Sequence, residues 1–206
     1  MSVYIIAEAG VNHNGRLDLA LKLCDAAKEA GVDAVKFQTW KTDNIVTASA
    51  RQAAYQTENT GVEESQYDML KKLELSYTQF EEIQQYCKMI GVDFLSTPDE
   101  EESLEFLMNT LHLPLVKIGS GEVTNIPFLR AIGRKRQKVI LSTGMSTLSD
   151  VEMAYNTLLE SGASEVALLH CTTNYPCSYD EVNLEAMQTL KSACKCQVGY
   201  SDHTMG

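Results

Sequence analysis

The chain has 206 residues and a formal net charge of −11, with 28 acidic side chains against 17 basic ones. Its composition, 44% hydrophobic and 22% charged, is that of an ordinary globular domain, and the acidic balance excludes general nucleic-acid binding, which needs a basic face. No apolar run approaches the ~18 residues of a membrane-spanning helix.

The elements follow one another as strand and helix almost throughout. Ile5-Ile6-Ala7 reads as a buried strand leading to Glu8. Leu17, Ala20, Leu21, Cys24 and Ala27 recur at helical spacing, and Gly31 suits the helix end. Ala34-Val35 is a second strand, leading to Lys36 and Gln38. Residues 41–64 are polar and irregular and read as a long loop, a lid or binding segment. Ser76-Tyr77-Thr78-Gln79 has the spacing of a capping box and predicts a helix ending near Gly91.

Val92–Leu95 is the third strand. Thr97-Pro98, followed by Asp99 and Glu100, predicts a helix start with Thr as cap and Pro in the first turn. Leu115–Ile118 and Val139–Leu141 are the fourth and fifth strands. Ser149-Asp150-Val151-Glu152 reads as a second capping box. Val166–Leu169, ending at His170, is the sixth strand. A helix over 183–194 should turn Leu184, Met187 and Leu190 inward, and Gln197–Tyr200 begins a seventh strand. Short apolar strands alternating with helices predict a parallel α/β sheet.

The fold expected is a (β/α)₈ TIM barrel occupying residues 1–206 as one domain. A full barrel takes about 250 residues, so this one is expected to stop after strand seven.

Several predicted strands end in chemistry: Lys36-Phe37-Gln38, Lys117-Ile118-Gly119-Ser120-Gly121-Glu122, Ser142-Thr143-Gly144 and Ser201-Asp202-His203. That rim of a parallel barrel is where such enzymes place their active sites. Lys36 and Lys117, with the hydroxyls of Thr97, Ser120 and Ser142, suit a phosphate or carboxylate. Gly119, Gly121 and Gly144 let backbone N–H groups approach an anion closely. The plainer reading pairs each lysine with a nearby acid.

Glu8 and Glu122 suit a hydroxylated substrate or acid–base work; alternatively each forms a structural salt bridge with Lys36 or Lys117. His13, His170 and His203 follow strands. His203 suits a divalent metal or a structural hydrogen bond. His112 precedes strand four, at the opposite end, and is expected to be inert. Tyr175 either stacks on a sugar ring or seals the barrel top. The six cysteines fit no zinc spacing and read as reduced thiols. With no signal-peptide pattern, a cytoplasmic location is expected. No dinucleotide or Walker glycine loop is present in the sequence.

Taken together, Ile-Ile-Ala-Glu-Ala-Gly-Val-Asn-His-Asn-Gly (5–15), Val-Lys-Phe-Gln-Thr (35–39), Phe-Leu-Ser-Thr-Pro (94–98), Lys-Ile-Gly-Ser-Gly-Glu (117–122), Ile-Leu-Ser-Thr-Gly-Met (140–145), Leu-Leu-His-Cys-Thr (168–172) and Gly-Tyr-Ser-Asp-His-Thr (199–204) resemble the bacterial sialic acid synthase family, with its legionaminate and pseudaminate synthases. The resemblance runs through the whole chain. It implies condensation of phosphoenolpyruvate with an N-acetylated hexosamine such as N-acetylmannosamine, assisted by Mn²⁺ or Mg²⁺.

By this resemblance Lys36, Thr97, Lys117, Ser120, Ser142 and Ser201 would hold phosphoenolpyruvate. Glu8, Gln38 and Tyr175 would lie beside the sugar, and Glu122 would handle protons near the reacting atoms. His203 would be one of two metal-binding histidines, the second falling after strand eight, beyond Gly206. The family's C-terminal antifreeze-like domain, which reaches into the partner site of a homodimer, would also lie outside this sequence. Thr173, where some members carry Asn, and Asp99, where Phe is common, depart from the family pattern. The alternatives are another phosphoenolpyruvate-dependent 3-deoxy sugar acid synthase, or an inactive barrel that only binds ligand or a partner subunit.

Overall fold

A computed structural model describes residues 3–51 and 64–205. The chain divides into two compact units, residues 1–112 and 113–206. Each is a parallel sheet with helices between its strands.

In the first unit, β1 (Ile6–Gly10), β2 (Ala34–Thr39) and β3 (Asp93–Pro98) lie in that order. Helix α1 (Leu17–Glu29) joins β1 to β2. Between β2 and β3 come α2 (Thr42–Ile45), α3 (Gln66–Leu73) and α4 (Tyr77–Ile90). Residues 52–63 of the predicted 41–64 loop lie outside the described residues. The rest of that span is not wholly irregular: it holds α2 and a single antiparallel bridge between Arg51 and Ser65.

The capping box at Ser76 forms as predicted, with Gln79 reciprocating, and α4 closes on Gly91 in the left-handed conformation. The core of this unit includes the fully buried Ala20, Cys24, Phe37, Phe80 and Ile83. Ile5 stands outside β1 and is 53% exposed, against the expectation of a buried start. Within this sheet β1 pairs only with β2, so one of its edges lacks a strand neighbour there.

Thr97 and Pro98 do not start a helix. They continue β3, paired with Gln38 and Thr39, and Pro98 ends the strand where its missing N–H costs least. The cap is Glu100, whose carboxylate accepts from the N–H groups of Glu102 and Ser103. The short α5 (Glu101–Glu105) follows and widens into a π turn at Phe106–Thr110.

In the second unit the order is β4 (Leu115–Ile118), β5 (Lys138–Ser142), β6 (Glu165–His170) and β7 (Val198–Tyr200), all parallel. The connecting helices are α6 (Ile126–Gly133), α7 (Leu148–Ser161) and α8 (Ala186–Cys194). The capping box of α7 is two residues earlier than predicted. Thr147 is the cap, its hydroxyl accepting from the N–H of Asp150 while the Asp150 carboxylate accepts from the N–H of Thr147. Ser149 is already inside the first turn. Helix α8 begins at Ala186, so Leu184 lies before it and is 56% exposed, while Leu190 is buried. Strand β6 alternates: Val166, Leu168 and His170 are buried, whereas Leu169 is half-buried. Among the described residues, no helix is long and apolar enough to cross a membrane.

Candidate active site

In the first unit, register places Glu8 of β1 beside Lys36 of β2, and Gln38 of β2 beside Thr97 of β3. The period-two pleat puts Glu8, Lys36, Gln38 and Thr97 on one face. The contacts agree with that placement. Lys36 Nζ lies 2.7 Å from Glu8 Oε2 and donates to Thr97 Oγ1 at 3.3 Å. Lys36 and Thr97 are buried, whereas Glu8 is exposed and Gln38 half-buried. Glu8 thus forms the ion pair that was one of its two sequence readings.

A register shift between Glu8 and Gly10 bends the end of β1. Gly10 has φ +50°, and a Cβ there would lie 3.2 Å from Glu8 Oε1, so glycine leaves room for the carboxylate to fold over the turn. On the opposite face, Phe37 stacks on Phe94 with ring centroids 5.8 Å apart, and the Thr39 and Ser96 hydroxyls share a 2.7 Å bond.

His13 follows in the turn after β1. It is fully buried, and its Nδ1 accepts the N–H of Gly15 at 3.1 Å. Nδ1 therefore carries no proton and Nε2 does. Burial holds its pKa below the usual histidine range.

The second unit presents a parallel arrangement. Lys117 of β4 is buried, and its Nζ donates to Ser142 Oγ at 2.6 Å and to the carbonyl of Ile118 at 3.0 Å. Ser120 and Glu122 share a 3₁₀ turn just beyond β4. The Glu122 carboxylate accepts from Asn125 Nδ2 at 2.7 Å, and Asn125 also caps α6 through its Oδ1, so the acid is tied to a helix start. Gly144 has φ +52°, and a Cβ there would come within 2.5 Å of Ser120. Only glycine lets the turn after β5 press on the turn after β4.

Beyond β7, His203 directs Nδ1 at the Thr172 carbonyl, and its Nε2 lies 3.5 Å from Ser201 Oγ. A carbonyl only accepts, so Nδ1 carries the proton and Nε2 is the acceptor, facing the Ser201 hydroxyl, a partner a ligand would have to displace. This is the tautomer in which histidine binds metals, its other nitrogen fixed by an outer carbonyl. Among the described residues, no three His, Cys, Asp or Glu side chains cluster to complete a metal site. His203 suits the ion; a full ligand set is not assembled around it. Asp202 is held below the usual carboxylate range, first by the Thr204 N–H and then by its hydroxyl.

The Tyr175 ring lies 4.3 Å from that of His203, centroid to centroid, and is 57% exposed. The N–H of Cys177 donates to the His203 carbonyl at 2.7 Å, which ties this loop to the end of β7. His170 is buried, and its Nε2 donates to the carbonyl of Val182, a structural use. Beside it lies a cavity of about 430 Å³ whose lining joins Thr143 and Gly144 of the Ser-Thr-Gly motif to Leu148 and Val151 of α7 and to Asn183, Glu185 and Thr189 around the start of α8, a grouping the motif alone does not announce.

Each of the two parallel sheets carries a buried strand lysine bonded to a hydroxyl on the neighbouring strand, Lys36 to Thr97 and Lys117 to Ser142, within an α/β fold. The chain belongs to the NeuB family, whose model matches residues 23–206. It is 50% identical over 204 residues to the N,N'-diacetyllegionaminic acid synthase of Campylobacter jejuni, covering 98% of this chain and 61% of that protein. It is 47% identical over 210 residues to the protein of the same name in Legionella pneumophila, covering 100% of this chain and 59% of that one. The chain thus spans less than two thirds of these relatives' length. The N-acetylneuraminic acid (sialic acid) synthetase of Leptospira borgpetersenii, crystallised in complex with citrate, matches with a TM-score of 0.86 at 32% identity, over 100% of this chain and 67% of that one.

Proposed function

We propose that this chain is the phosphoenolpyruvate-condensing part of a nonulosonate synthase, built on a (β/α)₈ barrel. The observation that carries the reading is Lys117, a buried ammonium donating to Ser142 beside a turn that only Gly144 permits. An ammonium held by a hydroxyl and a carbonyl rather than buried against carbon is placed to exchange those partners for anionic oxygens. Family membership and the synthase names of relatives at 47–50% identity support the same reading.

Phosphoenolpyruvate brings a phosphate and a carboxylate. Lys36 with Thr97, and Lys117 with Ser120, Ser142 and Ser201, are the groups proposed to neutralise them. The acceptor is an N-acetylated hexosamine; the diacetyl products in the names of the two synthases cited above favour a sugar carrying two acetamido groups over N-acetylmannosamine. Glu8, Gln38 and Tyr175 are proposed as its contacts.

Carbon 3 of phosphoenolpyruvate attacks the aldehyde carbon of the open-chain sugar, water adds at carbon 2, and phosphate leaves by C–O cleavage. Glu122, steadied by Asn125, is proposed to move the proton of the incoming water. A divalent ion, Mn²⁺ or Mg²⁺, held at Nε2 of His203, would supply Lewis acidity toward the aldehyde. A cytoplasmic homodimer is the proposed working state.

Phosphate release tests the reading. With phosphoenolpyruvate and Mn²⁺, release should depend on a 2,4-diacetamido sugar or, more weakly, on N-acetylmannosamine. Release driven only by a phosphorylated sugar would support the other 3-deoxy sugar acid synthases. No release with any acceptor, from a protein that includes the segments its relatives carry beyond this chain, would overturn the proposal.

A further inference from the structure

Helices α1 and α4 of the first unit meet along a seam fixed at three points. Tyr86 donates its hydroxyl to Asp25 Oδ1 at 2.7 Å, and Lys28 Nζ donates to the carbonyl of Gly91 at 2.9 Å. Alongside these lie Cys24 and Cys87, both fully buried, with the Cys87 S–H directed at Cys24 Sγ across 3.5 Å. Sixty-three residues separate the two thiols in sequence. Neither thiol has any part in the site proposed above.

We propose that Cys24 and Cys87 are a peroxide-reactive thiol pair that closes into a disulfide across this seam. Two sulfurs 3.5 Å apart are already in van der Waals contact, a short approach from the roughly 2 Å of a disulfide bond. The pair is also asymmetric. Cys24 receives the S–H of Cys87, so its thiolate has a donor waiting, while Cys87 keeps its proton. The donated S–H holds the Cys24 thiol below its ordinary range and pushes that of Cys87 up. Cys24 is therefore the attacking sulfur and Cys87 the resolving one.

The electrons balance with one hydroperoxide as oxidant. The Cys24 thiolate attacks an oxygen of the peroxide and the O–O bond breaks. The departing oxygen takes up a proton, leaving Cys24 as a sulfenic acid. Cys87 Sγ then attacks the Cys24 sulfur. The S–O bond breaks, and hydroxide leaves as water with the Cys87 proton. Two thiols lose two electrons, and hydrogen peroxide becomes two waters. Because both sulfurs are buried, reaction proceeds through local opening of the seam, so it is slow and selective rather than instantaneous.

The experiment uses the reduced, folded chain with hydrogen peroxide as probe. Oxidised protein is alkylated without reduction, digested with trypsin and mapped by mass. The expected product is the peptide 23–28 joined to 73–88 with the loss of two hydrogens, reversed by dithiothreitol. The oxidised protein should melt several degrees higher than the reduced one. Cys87→Ser should leave Cys24 as a sulfenic acid captured by dimedone, and Cys24→Ser should leave Cys87 reduced at the same peroxide concentration. The proposal is overturned if the cross-linked peptide appears only from urea-unfolded protein, or if folded protein pairs Cys24 or Cys87 with other cysteines as readily as with each other.

Discussion

Glu8 Oε2 lies 2.7 Å from Lys36 Nζ, yet the two ends of this ion pair face different surroundings: the side chain of Lys36 is 7% exposed and that of Glu8 55%. The burial asymmetry predicts an asymmetric response to mutation. Removing Glu8 leaves a buried ammonium that keeps its bond to Thr97 Oγ1 but loses its counter-charge. Removing Lys36 leaves a carboxylate already in water. Glu8→Ala should therefore destabilise the chain by about 1–3 kcal/mol, the cost of an under-satisfied buried group. Lys36→Met, which keeps the apolar stem, should cost less than about 1 kcal/mol. Urea denaturation of the two variants measures both; equal costs would mean that Lys36 is better solvated than its burial indicates.

Lys117 is the corresponding group of the second unit, and its prediction concerns binding. Lys117→Ala removes a charged donor proposed to contact phosphoenolpyruvate, a loss of about 1.5–3 kcal/mol, or roughly ten- to hundredfold in affinity. Ser142→Ala should lose less, since it removes one neutral partner of the ammonium. Calorimetric titration with phosphoenolpyruvate gives both values, with circular dichroism to confirm that each variant is folded. Unchanged affinity in Lys117→Ala would remove that residue from the site.

The strands that carry Lys36 and Lys117 were legible in the sequence for a physical reason, although β2 runs on past Lys36 to Thr39 rather than ending at it. Val116 and Ile118 flank Lys117, and Val35 and Phe37 flank Lys36, so each charge lies inside a run that only a buried strand explains. What escaped was whatever lacked an apolar signal or depended on distant contacts. Helix α3 is only eight residues with Tyr67, Leu70 and Leu73 half-buried and none fully buried, too short a pattern to stand out from the polar segment before it, and Ser65, capping it through the N–H of Asp68, marks its start. The helix start misplaced at Thr97 failed because β3 continues to Pro98 in register with β2, and because Glu is an uncommon cap. The Glu8 ion pair, the contact of Gly144 with Ser120 and the meeting of Cys24 with Cys87 join residues remote in sequence. Register and helix packing produce them, and neither can be read from one strand or one helix alone.

Gly144 and Gly31 separate two costs of losing a glycine. Both have positive φ, +52° and +73°. A Cβ at Gly31 meets nothing within 4 Å, whereas one at Gly144 comes within 2.5 Å of Ser120. Gly31→Ala should cost only the left-handed backbone penalty, about 1–2 kcal/mol. Gly144→Ala should cost more and should shift Ser120 as well, weakening phosphoenolpyruvate binding as an added effect. Thermal denaturation ranks the two variants, and a binding defect in Gly31→Ala would contradict the separation.

His13 gives the last prediction, a pH dependence of stability. Its imidazole is fully buried, Nδ1 is occupied as acceptor of the Gly15 N–H, and burial lowers its pKa from the ordinary 6.5. The folded state therefore binds the His13 proton less readily than the unfolded state does. Stability rises with pH wherever the unfolded chain holds more protons. The contribution of His13 is thus fully present above the unfolded value, and it declines as pH falls from near 6.5 toward the lower folded value. Protonation at Nδ1 would also turn the acceptor for Gly15 into a donor, so the charged ring cannot keep that bond. Urea midpoints measured across this window should fall with acidification in the parent chain. In His13→Asn, whose Oδ1 can still accept from Gly15 but does not titrate, the fall should be shallower, leaving the carboxylates to dominate at lower pH. Parallel curves for the two proteins would show that His13 binds its proton equally well in the folded and unfolded chains, and would sink the argument.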